Sequence, residues 1–200
     1  PAQDPAQNVI RARLYITACG LYEARIDGQR VGDFCLAPGS TDYRKRIQYQ
    51  TYDVTDMFTA GMSEKSLDGA VSGNSGSSTD THTQKHTLDI QLADGWYRGS
   101  VAAHGFTKAY GSQTKLLFQL ELTYADHSSQ YFVSDSDTEW SNDGPIRFAD
   151  LKDGEIYDAN KHTSYSGKAV ACEGPKGKLV ASNNVIPKKM ETFTATEIVT

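Results

Sequence analysis

The stretch Asp94-Gly95-Trp96-Tyr97-Arg98-Gly99 gathers residue types suited to a ligand: adjacent aromatics, one charge of each sign and flanking glycines. A Trp-Tyr pair beside Asp and Arg fits a sugar, with flat apolar faces for C–H groups and polar tips for hydroxyls. The same residues also read as structure, with Trp96 anchoring a sheet edge and Arg98 lying over it. A second group of oxygen donors, Asp153, Glu155 and Asp158, stands in the acidic segment after the Gly144-Pro145 turn. Strand ends and loops of a sandwich collect at its rims, which would let the two groups meet. Arg98 would then clamp Glu155 or Asp158 as a forked, charge-assisted pair, or leave the aromatics open for a sugar to stack on. Asp94, Trp96, Tyr97, Arg98, Asp153, Glu155 and Asp158 are therefore the candidate carbohydrate-binding residues. No catalytic and no metal-ligating residue is assigned. His82 and His86 are spaced i,i+4 but lie in no helix-forming context, so they are not read as a metal pair.

The elements that must hold these groups are strands. Thr87 to Leu92 alternates apolar and polar residues and runs into Asp94-Gly95, a turn signal. Leu14, Ile16 and Ala18 alternate with Arg13, Tyr15 and Thr17; after Gly20, Tyr22, Ala24 and Ile26 share one face. Asp27-Gly28 then marks a tight type I′ hairpin turn into Gln29-Arg30-Val31. Ile47 to Tyr52 alternates again, and Asp53 or Thr55 caps a helical turn through Met57-Phe58. Leu116, Phe118, Leu120, Leu122 and Tyr124 form the cleanest strand face, returned by Gln130 to Val133, and they are expected inward together with Leu88, Ile90 and Leu92. Val170, Leu179 and Val180 are the last strand-like points before the tail. Residues 62–86 are Ser, Thr, Gly, Asp, Asn and His with few large apolar side chains, and are expected to form a mobile excursion. Short strands between frequent turn signals, with no helix longer than about two turns, predict an all-β antiparallel β-sandwich, jelly-roll-like. The expected organisation is a frayed segment 1–10, a sandwich over 11–180 interrupted at 62–86, and a linker over 181–200.

Composition narrows the function. A net charge of -5 and the short Arg44-Lys45-Arg46 run exclude a nucleic-acid track, and no stretch has the apolar length to cross a bilayer. Cys19, Cys35 and Cys172 lack metal-site spacing; Cys19 and Cys35 flank the hairpin, but buried free thiols fit better, which points to a reducing, cytoplasmic compartment. The opening Pro1-Ala2-Gln3-Asp4-Pro5, without methionine, reads as a piece of something longer.

Several segments in order resemble the amino-terminal sandwich domain of bacterial α-L-rhamnosidases. They are Leu14-Tyr15-Ile16-Thr17-Ala18, Ile26-Asp27-Gly28-Gln29-Arg30-Val31-Gly32, Leu36-Ala37-Pro38-Gly39, Thr41-Asp42-Tyr43-Arg44-Lys45-Arg46, Asp94-Gly95-Trp96-Tyr97-Arg98-Gly99, Gly144-Pro145-Ile146-Arg147 and Asp153-Gly154-Glu155-Ile156-Tyr157-Asp158. The resemblance implies a family that cleaves terminal α-L-rhamnose with inversion, using two carboxylic acids in a separate downstream (α/α)6 barrel. The acidic signature of that barrel is absent from these residues, so the chain is expected to be an inactive accessory fragment that partners the barrel. The resemblance also implies an alternative, a module binding rhamnose-containing glycans, for which calcium is a possible cofactor through Asp42, Asp94, Asp153, Glu155 and Asp158. A hydrolase with its own carboxylate pair is the third reading.

Overall fold

The computed structural model describes residues 8–59, 85–101, 105–165, 167–183 and 185–197. The expected excursion at 62–86, with His82, lies outside them apart from Lys85 and His86, as does Ile198-Val199-Thr200.

The antiparallel sandwich expected from the alternation forms around β1 (Val9–Cys19), which is paired along its length with β6 (Lys115–Tyr124) and, from Arg13 to Ile16, with β4 (Arg46–Asp53) on its other edge. With β7 (Ser129–Val133) beyond β6 and β12 (Lys178–Ala181) beyond β4, they make a five-stranded sheet ordered β12-β4-β1-β6-β7. β12 is the exception to the antiparallel pattern, pairing parallel to β4. The opposing sheet is β3-β2-β5, built from β3 (Gln29–Arg30), β2 (Leu21–Ile26) and β5 (Leu88–Ala93). Ala12, Leu14, Ile16 and Ala18 point from β1 into the space between the sheets and are at most 1% exposed. Leu120 and Leu122 join them from β6, and Tyr22, Ala24 and Ile26 close the layer from β2.

The period of two is kept at these positions because one face of each strand must stay dry, and a slip of one residue would turn the apolar set to water. Leu88 and Ile90 pack on this core only partly buried, as do Leu116 and Phe118. Leu92, expected inward with them, is exposed: β5 is an edge strand whose end leaves the shelter of the five-stranded sheet.

The chain passes from β1 to β2 at Gly20, whose φ of 133° and contact with the Ala93 carbonyl leave no room for a Cβ. The type I′ turn is as expected, with Asp27 at φ 50° and Gly28 at φ 79°. Asp27 also receives the Thr87 N–H at 2.8 Å and faces His86 Nδ1 at 2.6 Å, tying the hairpin to the start of β5. The expected helical turn is α1 (Thr55–Thr59), started by Asp53, whose Oδ1 accepts from the Thr55 N–H at 3.1 Å. The acidic segment read as a loop is instead a hairpin, β9 (Ile146–Asp150) with β10 (Gly154–Tyr157). A short pair, β8 (Glu139–Trp140) with β11 (Gly167–Lys168), lies between β7 and β12 in sequence. After β12 the chain returns along the sandwich: Cys35 N–H donates to the Pro187 carbonyl at 2.8 Å, and Ile186 packs on the core.

Leu14→Ala removes a fully buried side chain and is expected to cost about 2–5 kcal/mol in urea unfolding. Leu92→Ala, at the exposed end of β5, is expected to stay within about 0.5 kcal/mol of the unmodified chain. Equal losses at the two positions would contradict the assignment of the inner face.

Candidate functional site

Beyond β5 the chain does not turn through a loop. It winds into the single helical turn α2 (Gly95–Arg98), with the Arg98 N–H on the Asp94 carbonyl at 3.1 Å and the Gly99 N–H on the Gly95 carbonyl at 3.0 Å. Successive side chains of a helix point about 100° apart, so Trp96 and Tyr97 cannot face the same way. Tyr97 turns inward and is only 4% exposed, packed with Cys19, Tyr43 and Ile47 on the outer face of the five-stranded sheet. Its ring meets Tyr43 edge-on at 5.0 Å and stacks near Tyr110 at 6.3 Å. Arg44 covers Tyr110 from the solvent side at 5.5 Å. Tyr97 is thus a core residue, and the stacking pair expected from the sequence is split, leaving Trp96 half-buried.

Burial pushes the hydroxyl of Tyr43 and the thiol of Cys19 above their ordinary values, so both stay protonated at neutral pH. Cys19 is accordingly a packing thiol, and all of the cysteines are free. The disulfide left open between Cys19 and Cys35 does not form.

The two candidate groups do approach each other, but through a residue outside the candidate set. Asp150, at the end of β9, accepts the Ser100 N–H on Oδ2 at 2.7 Å. Its other oxygen accepts the N–H groups of Lys152 at 2.8 Å and Asp153 at 3.3 Å. Burial alone would raise its pKa; the donors from Lys152, Ser100 and Asp153 outweigh that and hold the carboxyl below its ordinary value. Gly99 permits the approach, since a Cβ there would lie 2.6 Å from Asp150 Oδ2.

The expected clamp from Arg98 to Glu155 or Asp158 is absent: Arg98 pairs within its own turn, Nη1 to Asp94 Oδ1 at 2.8 Å. Asp153 and Glu155 are exposed, and Asp158 is half-buried with Oδ1 accepting the Asn160 N–H at 3.0 Å. Asp143, also outside the candidate set, holds Arg147 at 2.8 Å and Lys161 at 3.0 Å; the Lys161 hydrogen bond leads in lowering its pKa.

Between α2, the start of β2 and the β9–β10 hairpin lies a cleft of about 330 Å³. Leu21, Leu36, Ala93 and Leu151 give it apolar walls, and Glu155 brings a carboxylate to it. Of the sequence candidates, only Glu155 lines it.

The oxygen donors do not fit calcium. Asp42 is paired with Arg44 at 2.9 Å and Asp94 with Arg98, and among the described residues no three His, Cys, Asp or Glu side chains converge as a metal site. A hard cation needs six or more oxygens around it, and Asp42, Asp94 and Asp158 are engaged with guanidinium or backbone N–H groups, which leaves Asp153 and Glu155 alone on the hairpin.

The chain matches the family model described as the alpha-L-rhamnosidase N-terminal domain, over residues 7–73 and 77–186. It is 44% identical over 160 residues to an alpha-L-rhamnosidase of Streptomyces avermitilis, covering 80% of this chain and 13% of that protein. An alpha-L-rhamnosidase of Formosa agariphila is 36% identical over 158 residues, or 78% of this chain and 14% of the relative. Among solved structures, the Streptomyces avermitilis alpha-L-rhamnosidase complexed with L-rhamnose superposes with a TM-score of 0.68 at 36% identity, covering 90% of this chain and 16% of that one. The native rhamnosidase of Aspergillus terreus gives a TM-score of 0.66 at 32% identity, covering 87% and 19%. The chain therefore spans only a small part of the length of these proteins.

Because Asp150 has a lowered pKa when folded, its contribution to stability is complete above the ordinary carboxylate value and is lost as pH falls through the folded one. Asp150→Ala is expected to lower stability by about 1 kcal/mol at neutral pH, since it orphans the N–H of the buried Ser100 and frees the exposed turn at Lys152 and Asp153. The difference from the unmodified chain should shrink toward about pH 2, as read from urea midpoints across the acid range. A difference that does not change with pH would show that the carboxylate charge plays no part.

Proposed function

Since the chain belongs to the alpha-L-rhamnosidase N-terminal domain family, we propose that it is a non-catalytic accessory sandwich of a longer α-L-rhamnosidase. That enzyme would release terminal α-L-rhamnose from glycosides, with this sandwich supporting its (α/α)6 catalytic barrel. The observation that carries the reading is how the rim uses its acids. Inverting hydrolysis needs a proton-donating carboxylic acid and an opposing carboxylate base with a water between them. Asp150 is held as a carboxylate by three N–H groups, Asp94 is neutralised by Arg98, and Asp158 serves a turn. Asp153 and Glu155 stand exposed on a hairpin, without the enclosure that separates an acid from a base in glycosidase sites.

Residues 1–200 alone are expected to leave an aryl α-L-rhamnoside unhydrolysed above the buffer rate. Turnover that disappears in Asp153→Asn or Glu155→Gln would overturn the accessory reading and establish a carboxylate pair in the sandwich itself.

A second reading, binding of rhamnose-containing glycans, is favoured by the cleft between α2 and the β9–β10 hairpin. Leucine walls suit the C–H faces of a deoxy sugar, and Glu155 offers acceptors to its hydroxyls. On this reading, titration calorimetry with L-rhamnose gives saturable heat that Glu155→Ala abolishes and that calcium leaves unchanged. The absence of heat at millimolar sugar would remove the binding reading.

A further inference from the structure

The outer face of the five-stranded sheet is divided into zones along the strands. At one end Cys19 and Ile47 are covered by Tyr97, Tyr43 and Tyr110. At the other end the outward residues are charged: Arg13 lies opposite Asp53 on one side and Glu121 on the other, and Arg11 pairs with Glu121 at 3.4 Å. The middle is mainly apolar, with Thr17 and Gln119 among its members, and is not covered by any of the described residues.

Tyr15 and Thr17 of β1, Tyr49 of β4, Leu117 of β6, Val133 of β7 and Leu179 of β12 line one shallow groove of about 320 Å³. The ladders place these positions side by side: Thr17 opposite Leu117, Gln119 between Tyr15 and Val133, and Leu179 opposite Ile47. Leu117, Val133 and Leu179 remain 50%, 46% and 45% exposed. An antiparallel sheet that faces water carries polar side chains on its outer surface. A band of mainly apolar side chains on that face offers a surface on which a neighbouring domain can dock.

We propose that this band is the docking surface for a neighbouring domain of the same polypeptide, outside residues 1–200; this rests on the accessory-domain reading above. Two observations select that occupant over a second copy of the chain. The first is length: the relatives match this chain over only 13% and 14% of their own sequence, so most of each relative lies outside the matched segment. The second is size. Five strands span four spacings of about 4.8 Å, and the bare zone runs roughly 10 Å along them, so the band covers on the order of 200 Å². A stable association between free partners needs about 800 Å² per side. A domain joined by the chain itself meets the band at millimolar effective concentration, where a small apolar contact is enough. The charged end, with Arg13, Asp53 and Glu121, supplies the polar rim such a contact needs.

The test compares Leu117→Cys in the 200-residue chain with the same substitution in the full-length gene product that carries it. Tyr157→Cys, at a position 61% exposed on the β9–β10 hairpin, is the reference. Alkylation by a maleimide is followed peptide by peptide in a mass spectrometer. In the short chain both sites are expected to react at comparable rates. In the full-length protein the site at 117 is expected to slow at least tenfold relative to the reference. Equal reactivity at 117 in both proteins overturns the proposal. Slow labelling at 117 in the short chain, with a dimer in sedimentation, overturns it in favour of a second copy. Hydrolysis of an aryl α-L-rhamnoside by the unsubstituted full-length protein is measured alongside: its absence rejects the accessory reading, while the labelling alone decides the docking face.

Discussion

Strand β1 has ladder partners on both sides, β4 and β6, while Ala12, Leu14, Ile16 and Ala18 occupy the space between the sheets. Its inner face and both edges are therefore committed, and other elements are placed by reference to it. The Ala12 N–H donates to Thr55 Oγ1 at 3.0 Å and its carbonyl accepts the Val54 N–H at 3.0 Å, which fixes where α1 starts. At the far end, Gly20 folds the chain over so that β2 faces the strand it has just left. The buried polar groups that this crossing creates are satisfied together: the Tyr22 hydroxyl donates to Gln50 Oε1 at 2.7 Å, and Gln50 Nε2 donates to the Pro38 carbonyl at 3.1 Å. Unpaired, each would cost about 1–3 kcal/mol. Desolvation accordingly drives the Tyr22 pKa far upward, so the hydroxyl stays a donor.

Around the rim several ion pairs are made within one turn of chain. Asp94 with Arg98 and Asp143 with Arg147 are both i,i+4. Such pairs order few bonds, whereas a clamp across the rim would have to hold two separate loops in register for a partly exposed ion pair worth at most about 1 kcal/mol. The contact that does cross the rim uses backbone N–H groups instead. Ser100 follows directly on α2, and its donor points at a carboxylate whose other oxygen is already fixed by the turn between β9 and β10. A carboxylate in that position joins hairpin to helix without a second charge.

Alternation made the inner faces of β1, β2 and β6 legible, because burial on one side imposes a period of two on consecutive residues. It also located the Asp27-Gly28 turn, whose chemistry is local. What stayed hidden depended on partners far away in sequence. Leu92 alternates like Leu88 and Ile90, yet among the described residues none covers that end of an edge strand. Lys178–Ala181 shows only a short apolar pair, and its parallel pairing with β4 joins residues more than a hundred positions apart. At the site, Asp94-Gly95 was legible as a change of direction but not as a helical turn, and that difference sends Tyr97 into the core and separates it from Trp96. Asp150 was hidden among acidic neighbours, since its role comes from the donors that reach it.

The outer face of the large sheet shows how much a linear pattern conceals. β6 reads as a regular in-and-out strand because Lys115, Gln119, Glu121 and Thr123 dominate its second face, and Leu117 passes as one stray apolar residue. Tyr15 sits between Arg13 and Thr17, Tyr49 among glutamines, and Val133 at the end of a fully exposed strand, each equally ordinary in place. Single apolar residues on a surface need no explanation. Strand register gives these residues a different meaning, because the ladders bring them, together with Leu179 of β12, from five strands into one groove on the same face. Side chains that are unremarkable one by one thus become a single, mainly apolar surface once the strands are paired.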